Sequence, residues 1–165
     1  MGFELDSKRG VFNHYGVRTT DQKFGGNVDD EVIKFAVWTF DYDDLPTYGT
    51  SNLQMVIPAN ARILSAKLEI ITGFTSTSTT TDLLVGLYTS AGVAIDADGL
   101  ITAAQATQTT IATAGNVIDG ASGTPGALIN VTIGATAGEL VVAGSAADLT
   151  AGRARLIVEY IKAGI

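Results

Sequence analysis

The sequence predicts an all-β protein, a single jelly-roll-like antiparallel β-sandwich with an extended N-terminal arm and at most one short helix. In several segments apolar residues recur at every second position, the pattern of a strand with one buried face. Gly, Thr, Asp and Pro separate these segments, and the helices that a parallel α/β fold requires between its strands are missing. At 165 residues the chain is long enough for one hydrophobic core.

The clearest strand pattern lies in residues 53–74. Met55 and Ile57 are two residues apart, and a second alternation runs from Leu64 to Phe74, with polar residues between the apolar ones. Pro58 has no N–H for a ladder and the Pro-Ala-Asn sequence favours a turn. We therefore expect two strands that meet at a corner near the centre of the sandwich.

Further strands are predicted on both sides of this pair, at Lys34–Phe40, Asp82–Tyr88, Leu128–Ile133, Glu139–Ala143 and Arg153–Ile161. The first of them is apolar on both faces, as expected of a strand that is covered on two sides or lies at a subunit contact.

Three other segments are assigned by their local chemistry. A glycine within a strand pattern, Gly86, indicates a bulge or a close approach of another chain segment. The one plausible helix is Leu100–Thr107, and we interpret Asp96–Gly99 and Asp148–Gly152 as turns.

The chain divides into an extended arm, residues 1–31, and a sandwich domain, residues 32–165. The arm has no sustained period and is rich in glycine, but it contains more aromatic residues than disordered tails usually do. We expect it to lie on a surface and to make a contact there, and the alternative is a partly disordered N-terminus. The side chains predicted to make this contact are Phe3, Leu5, Phe12, Tyr15 and Phe24.

Composition excludes several classes of function. The net charge is −7, and no Lys or Arg occurs between Lys67 and Arg153. Neutralising a phosphate backbone requires clustered cations, so we expect no binding to nucleic acid or to anionic membranes. No apolar run is long enough to span a membrane, and the first residues lack the apolar core of a signal peptide.

Residues for catalysis or metal binding are scarce. The chain has no cysteine and one histidine, His14, so the usual nucleophile–base arrangements are missing. Acidic clusters at Asp41–Asp44 and Asp29–Glu31 lie in turn or arm contexts, and Asp96–Gly99 lacks the later ligands of an EF-hand. We predict no enzymatic activity, no cofactor and no metal site.

Apolar residues at positions that should face solvent indicate a contact with another protein chain. They are Ile63, Ile71, Ile157 and Ile161, and they predict subunit contacts in a homo-oligomer. A shift of strand register or a covering arm explains the same residues equally well.

Short phrases of the chain resemble small β-sandwich structural proteins of tailed bacteriophages, in particular head decoration (cement) proteins. The likeness covers residues 53–161 and rests on Ile57–Ile63 (IPANARI), the DLLVGLY strand and the closing RARLIVEYI strand. The resemblance implies a virion protein on the capsid surface, made in the host cytoplasm. It also implies binding to the major capsid protein of a phage head, as a symmetric trimer with its arm along the shell or a neighbouring subunit.

Two other functions are compatible with the sequence. A glycan- or receptor-binding module of a phage tail or fibre would use aromatic platforms beside carboxylates, and Tyr42, Tyr48 and Asp43 are the residues that cluster in this way. A cell-surface or pilus-like β-domain is the other, although the missing export signal argues against it.

Overall fold

The computed structural model describes residues 33–45 and 55–162, which form two four-stranded antiparallel sheets packed face to face. The strands are β1 (Ile33–Asp41), β2 (Met55–Ile57), β3 (Ala61–Ser76), β4 (Leu83–Tyr88), β5 (Ala94–Ile101), β6 (Val117–Asp119), β7 (Gly138–Gly144) and β8 (Leu149–Lys162). A 3-10 turn, Tyr42–Asp44, follows β1, and a single helical turn, α1 (Gln108–Ile111), precedes β6. The predicted all-β fold with one short helix is confirmed.

Each sheet combines strands that are distant in the chain. Sheet A has the order β1-β8-β3-β6 and sheet B the order β2-β7-β4-β5, and every pairing is antiparallel. Successive strands therefore alternate between the two sheets over most of the chain. This is the strand order of an eight-stranded jelly roll, in which two sheets close over one core.

The core is formed by the inner faces of both sheets. Ala66, Leu68 and Ile70 of β3 face Leu83, Val85 and Leu87 of β4, and all six are buried. On β8, buried Ala154, Leu156 and Val158 confirm the alternation predicted for the last strand. Trp38 is only half-buried and packs on buried Phe40, with their ring centroids 4.8 Å apart.

The predicted corner is present and joins the two sheets. β2 belongs to sheet B and β3 to sheet A, and between them the Ala61 amide donates to the Pro58 carbonyl (3.2 Å). Asn60 has a positive φ of 59°, which its short polar side chain tolerates. The proline and the asparagine thus turn the chain from one layer to the other.

A β-bulge in β3 overturns one sequence prediction. The pairing of β3 with β8 changes register between Ile63 and Ser65, because Leu64 is an extra residue on β3 without a partner in the ladder. Ala61 and Ile63 therefore point inward before the bulge, while Ala66 and Leu68 point inward after it. Ile63 is completely buried, and the prediction that it lies on the solvent face is wrong because a one-residue insertion reverses the side of every following side chain.

Three local assignments also differ from the prediction. Leu100 and Ile101 complete β5, and the helix begins only after Thr107, whose hydroxyl accepts from the Thr110 amide (3.4 Å). The Asp96–Gly99 segment lies within β5 rather than in a turn. Here Val85 pairs with Ile101 and Leu87 with Asp96, which leaves residues 97–100 as a long bulge opposite Gly86.

The predicted strand Leu128–Ile133 is an irregular segment. Asn130 has a φ of 64°, and this left-handed residue interrupts the extended conformation. The segment still docks on the start of β3, because the Asn130 amide donates to the Ile63 carbonyl and the Ile133 amide to the Ala61 carbonyl (2.8 and 2.9 Å). The apolar alternation therefore correctly indicated that Ile129 and Ile133 are buried, but the segment that carries them is not a regular strand.

The last strand begins earlier than predicted. β8 starts at Leu149, so most of the segment assigned to a turn, Asp148–Gly152, is strand. The predicted arm, residues 1–31, lies outside the described residues, and the division of the chain into arm and sandwich stays a prediction.

Candidate interaction surface

The outer face of sheet A carries a row of apolar side chains on two adjacent strands. On β1, Ala36 and Phe40 point into the core. The odd-numbered residues of this strand therefore point outward. In the ladder Ile33 is opposite Ile161, and Val37 is opposite Ile157. We call this set the outer stripe. It consists of Ile33, Phe35, Val37, Ile157 and Ile161.

The outer stripe is accessible to a partner. Ile33, Phe35 and Val37 are 45%, 61% and 49% exposed, while Ile157 and Ile161 are half-buried by their neighbours. Single exposed apolar residues are common on soluble proteins, whereas exposed apolar residues that cluster mark interaction sites. The five side chains of the outer stripe cluster on two neighbouring strands.

Two cations border the outer stripe on the side of β3. Arg62 is opposite Ile161, and Lys67 is opposite Ile157. Both side chains are exposed. We call them the rim cations. Between them, Glu159 accepts a hydrogen bond from the Ser65 hydroxyl (3.0 Å), so this carboxylate is held within the sheet.

Two ion pairs lie on the same face, beyond the stripe. The Arg155 guanidinium donates from Nε and from Nη2 to Oε2 of Glu69 on β3, at 2.8 and 2.5 Å. Arg153 and Asp41 of β1 form a looser pair of 3.8 Å. These arginines are neutralised by cross-strand partners, whereas the structure shows no ion pair for the rim cations among the described residues.

Charge is divided unevenly between the two sheets. Every Lys and Arg of the described residues lies on a strand of sheet A, and they are Lys34, Arg62, Lys67, Arg153, Arg155 and Lys162. The strands of sheet B carry Asp96, Asp98 and Glu139 and no cation. The long interval without Lys or Arg in the sequence contains three of the four strands of sheet B, namely β4, β5 and β7, together with β6 and parts of β3 and β8.

β1 is also an edge strand. In the described residues β8 is the strand that pairs with it, so its other edge has no strand partner. Its nine residues contain no proline, and Lys34 and Asp41, near its ends, are its charged residues. Edge strands that avoid pairing usually carry charges or proline, and β1 has few such features.

The structure separates the residues that the sequence predicted as subunit contacts. Ile63 lies in the core and is not available to another subunit. Ile71 is 48% exposed and lies at a bulge of β3, away from the outer stripe. Ile157 and Ile161 lie together in the stripe, and their contact with another chain stays a prediction. The arm residues Phe3, Leu5, Phe12, Tyr15 and Phe24 lie outside the described residues.

The residues considered for glycan binding are only partly described. Tyr42 is 39% exposed and, with Asp43 and Asp148, lines an open cleft of about 220 Å³. This volume is below the roughly 300 to 1,000 Å³ that is typical of small-molecule sites. Tyr48 lies outside the described residues, as does His14.

A second cleft is bordered by Gln105, a residue for which the sequence predicted no role. Gln105 lies beside this cleft of about 410 Å³ and donates from Nε2 to the carbonyls of Gly120 (3.0 Å) and Ser122 (2.6 Å). Its Oε1 accepts from the Thr102 amide (2.9 Å). Because both ends of the amide are engaged with backbone groups, Gln105 holds a loop rather than presenting a polar group to a ligand.

Two classes of feature are missing from the part of the chain that the structure describes. Within residues 33–45 and 55–162, no group of three or more His, Cys, Asp or Glu side chains is placed to hold a metal ion. No helix in these ranges is long and apolar enough to cross a membrane.

Asp96 is the described residue whose ionisation departs clearly from the ordinary value. Burial raises the pKa of its carboxyl above 3.8, partly offset by the Asp98 amide, which donates to its Oδ1 (3.3 Å), and reinforced by the Asp98 carboxylate. The cause is structural, because Asp96 pairs with Leu87 at the edge of the bulge in β5 and lines neither cleft.

Among known proteins, the fold has counterparts in phage particles. A chain in the structure of the capsid of Ralstonia phage GP4 matches with a TM-score of 0.53 and 21% identity, over 80% of this chain and 86% of that chain. A chain of the capsid asymmetric unit of cyanophage Pam1 matches with a TM-score of 0.51 and 23% identity, over 97% and 99% of the two chains. At these identities the similarity shows a shared fold.

Comparisons at the sequence level give no match. No protein-family model matches the chain, and no curated protein does.

Proposed function

We propose that this chain is a structural protein of a bacteriophage virion, a decoration (cement) protein that binds and stabilises the assembled head. The observation that carries the proposal is the exposed outer stripe, on a jelly roll whose fold is shared with chains of two phage capsid structures. An exposed apolar surface is unfavourable in isolation and suits a protein whose partner covers it.

The proposal includes a homo-oligomer, with a trimer favoured, on the outer surface of the head and in contact with the major capsid protein. A protein repeated over a shell gains avidity from several weak contacts. Such a protein needs no catalytic residues, which agrees with the scarcity of histidine and cysteine in the sequence. The arm, residues 1–31, extends this contact along the shell.

Binding to heads tests the proposal directly. Purified protein is mixed with heads of the same phage that lack it, and co-sedimentation and the melting temperature of the heads are measured. We expect the protein to sediment with the heads, to saturate at a fixed ratio to the major capsid protein, and to raise the melting temperature. Heads of an unrelated phage serve as the control.

The oligomer is tested by native mass measurement. A trimer has three times the chain mass of 17.1 kDa. A protein that stays monomeric and does not sediment with the heads would contradict both parts of the proposal.

The second candidate is glycan or receptor binding by a tail or fibre module, and the exposed Tyr42 in the cleft beside Asp43 favours it. Aromatic faces beside carboxylates are a common arrangement for sugars, but the cleft is small. A glycan array tests this alternative. Binding that is lost in Tyr42→Ala would support it, while an array without any binder, together with attachment to heads, would exclude it.

A further inference from the structure

We infer that the outer stripe is the docking face of this protein, and that its occupant is a protein surface of the head that presents apolar side chains bordered by carboxylates. The inference rests on the proposed function and deepens it, because it names the face that contacts the head and the chemistry of the partner. Sheet B then faces away from the shell.

The first argument is the composition of the stripe. Its three β1 residues are about half exposed or more, and aromatic and aliphatic side chains of this kind form the centre of protein interfaces, where they are excluded from water. Glu159, the one acidic residue between Ile157 and Ile161, is hydrogen-bonded to Ser65. This bond holds the carboxylate in place but does not neutralise it, so Glu159, opposite Phe35, is the one charge within the stripe.

The second argument is charge complementarity. Arg62 and Lys67 flank the stripe and are exposed, while sheet B has no cation. Cations at the rim of an apolar patch favour a partner with carboxylates at the matching positions, and such pairs steer and orient association. A partner that carries carboxylates would be repelled by the acidic strands of sheet B. The charges therefore favour sheet A as the layer that contacts this partner.

The third argument is the position of the arm junction. Ile33 is the first described residue of β1 and belongs to the stripe, so residues 1–32 join the sandwich at one end of this surface. If the arm runs along the shell, the face that begins at its junction lies beside the same shell. Arm and stripe then form one continuous contact.

A second copy of the chain fits this face less well. Contact between two sheet A faces brings the rim cations, Arg62 and Lys67, of both copies into one interface, where like charges oppose association. Contact between sheet A and the acidic sheet B joins opposite faces of the sandwich, and repetition of such a contact gives an open stack rather than a closed oligomer. The inference thus assigns Ile157 and Ile161 to the contact with the head.

The test uses full-length variants in the head-binding assay. Phe35→Ser combined with Val37→Thr removes apolar area from exposed positions, and Lys67→Glu reverses one rim cation. We expect each variant to bind heads at least about tenfold more weakly, the loss that a truncated central contact of an interface typically causes. Raising the salt concentration should weaken the unaltered protein more than Lys67→Glu.

The matched control is the double variant Val56→Thr and Val93→Thr. These residues are 57% and 63% exposed and lie on β2 and immediately before β5, both strands of sheet B. We expect this control to bind heads like the unaltered protein. Circular dichroism and the unfolding transition are recorded for all variants, and the changes at exposed positions should leave both unchanged.

Each other outcome has a definite meaning. If the stripe variants bind normally, or the sheet B control loses binding, the docking face is wrong while the proposed function stands. If the stripe variants change the native mass of the oligomer and not the attachment of the subunits to heads, the occupant is a second copy and the inference is overturned. If the unaltered protein does not bind heads, the proposed function fails, and the inference with it.

Discussion

At the scale of single residues, Gly152 shows how one position limits the last strand. It lies within β8 with a φ of 127°, and a Cβ added there would lie 2.8 Å from the Cα of buried Phe74. The residue thus combines a backbone conformation that favours glycine with a close approach to β3. Neither property can be predicted from the sequence Thr-Ala-Gly, which is equally compatible with a turn.

We expect Gly152→Ala to lower the free energy of unfolding by about 3 kcal/mol, because backbone strain and overpacking each cost about 1 to 3 kcal/mol. Urea unfolding measures the change. Two controls separate the causes, since no atom lies within 4 Å of a Cβ at Gly115 or Gly134, and Gly115 has a positive φ of 85°. Gly115→Ala should show the strain alone and Gly134→Ala almost no change. Equal losses at positions 115 and 152 would mean that the contact with Phe74 costs nothing.

Asp96 gives a prediction for pH dependence. Because burial raises its pKa in the folded state, the ionised carboxylate opposes folding, and the protein gains stability from this group as the pH falls through the raised pKa toward 3.8. Asp96→Asn removes the charge and keeps an oxygen that accepts from the Asp98 amide. We expect the variant to be the more stable protein at neutral pH, and its advantage to shrink in acid.

Urea unfolding of both proteins at neutral and acidic pH measures this difference, and other carboxylates cancel in the comparison. A variant that is less stable than the unaltered protein at neutral pH would show that the hydrogen bond to the carboxylate outweighs the cost of its burial.

At the scale of elements, regular alternation predicted most strands, and the irregularities were missed. Period two located β4, most of β3 and the core of β8, since alternation requires only that one face be buried, whereas β1 was located from its density of β-forming residues. The bulge between Ile63 and Ser65 was not predicted, because the extra residue is an ordinary Leu and no composition marks it. The irregularity of β5 was indicated in part, because Gly86 opposite it predicted a bulge or a close approach, but Asp96–Gly99 was assigned to a turn.

Gln105 was missed because its role depends on a loop that is distant in sequence. The predicted helix Leu100–Thr107 placed it on a helix face, whereas the structure directs its amide to the carbonyls of Asp119, Gly120 and Ser122. No spacing in the sequence indicates this bridge, because it joins the end of β5 to the loop after β6.

We expect Gln105→Leu, which keeps a similar volume, to lower the free energy of unfolding by about 2 kcal/mol, because it leaves partly buried carbonyls without a donor. Backbone amides in residues 119–123 should exchange faster with solvent, as measured by hydrogen–deuterium exchange. The matched control is Gln108→Leu, which removes one bond from Nε2 to the Ser78 carbonyl (3.2 Å). Loop protection that is unchanged in Gln105→Leu would contradict the role of this bridge.

At the scale of the whole molecule, the described cations and the exposed apolar stripe lie on one layer, and an acidic layer covers the other side. This two-sided organisation supports attachment through one face. The arm joins the attached layer at Ile33, so its contribution can be separated experimentally from that of the sandwich.

Deleting residues 2–31 should leave the melting transition of the sandwich within a few degrees, because the described core cluster begins at Ala36 on β1 and includes residues of both sheets. Attachment to heads should weaken if the arm supplies the contact area that the proposed function assigns to it. Calorimetry and co-sedimentation measure the two effects. Loss of cooperative unfolding in the shortened chain would instead make the arm part of the core.

The sequence alone was sufficient to predict the fold class, because period-two alternation and turn residues are local properties of the chain. It also showed that the middle of the chain lacks cations. The outer stripe required the tertiary structure, because Ile33 and Ile161 lie at opposite ends of the chain and become neighbours only through the ladder of β1 and β8. Alternation shows that side chains take opposite faces, but strand order and bulges decide which face is buried, as Ile63 and Ile157 demonstrate.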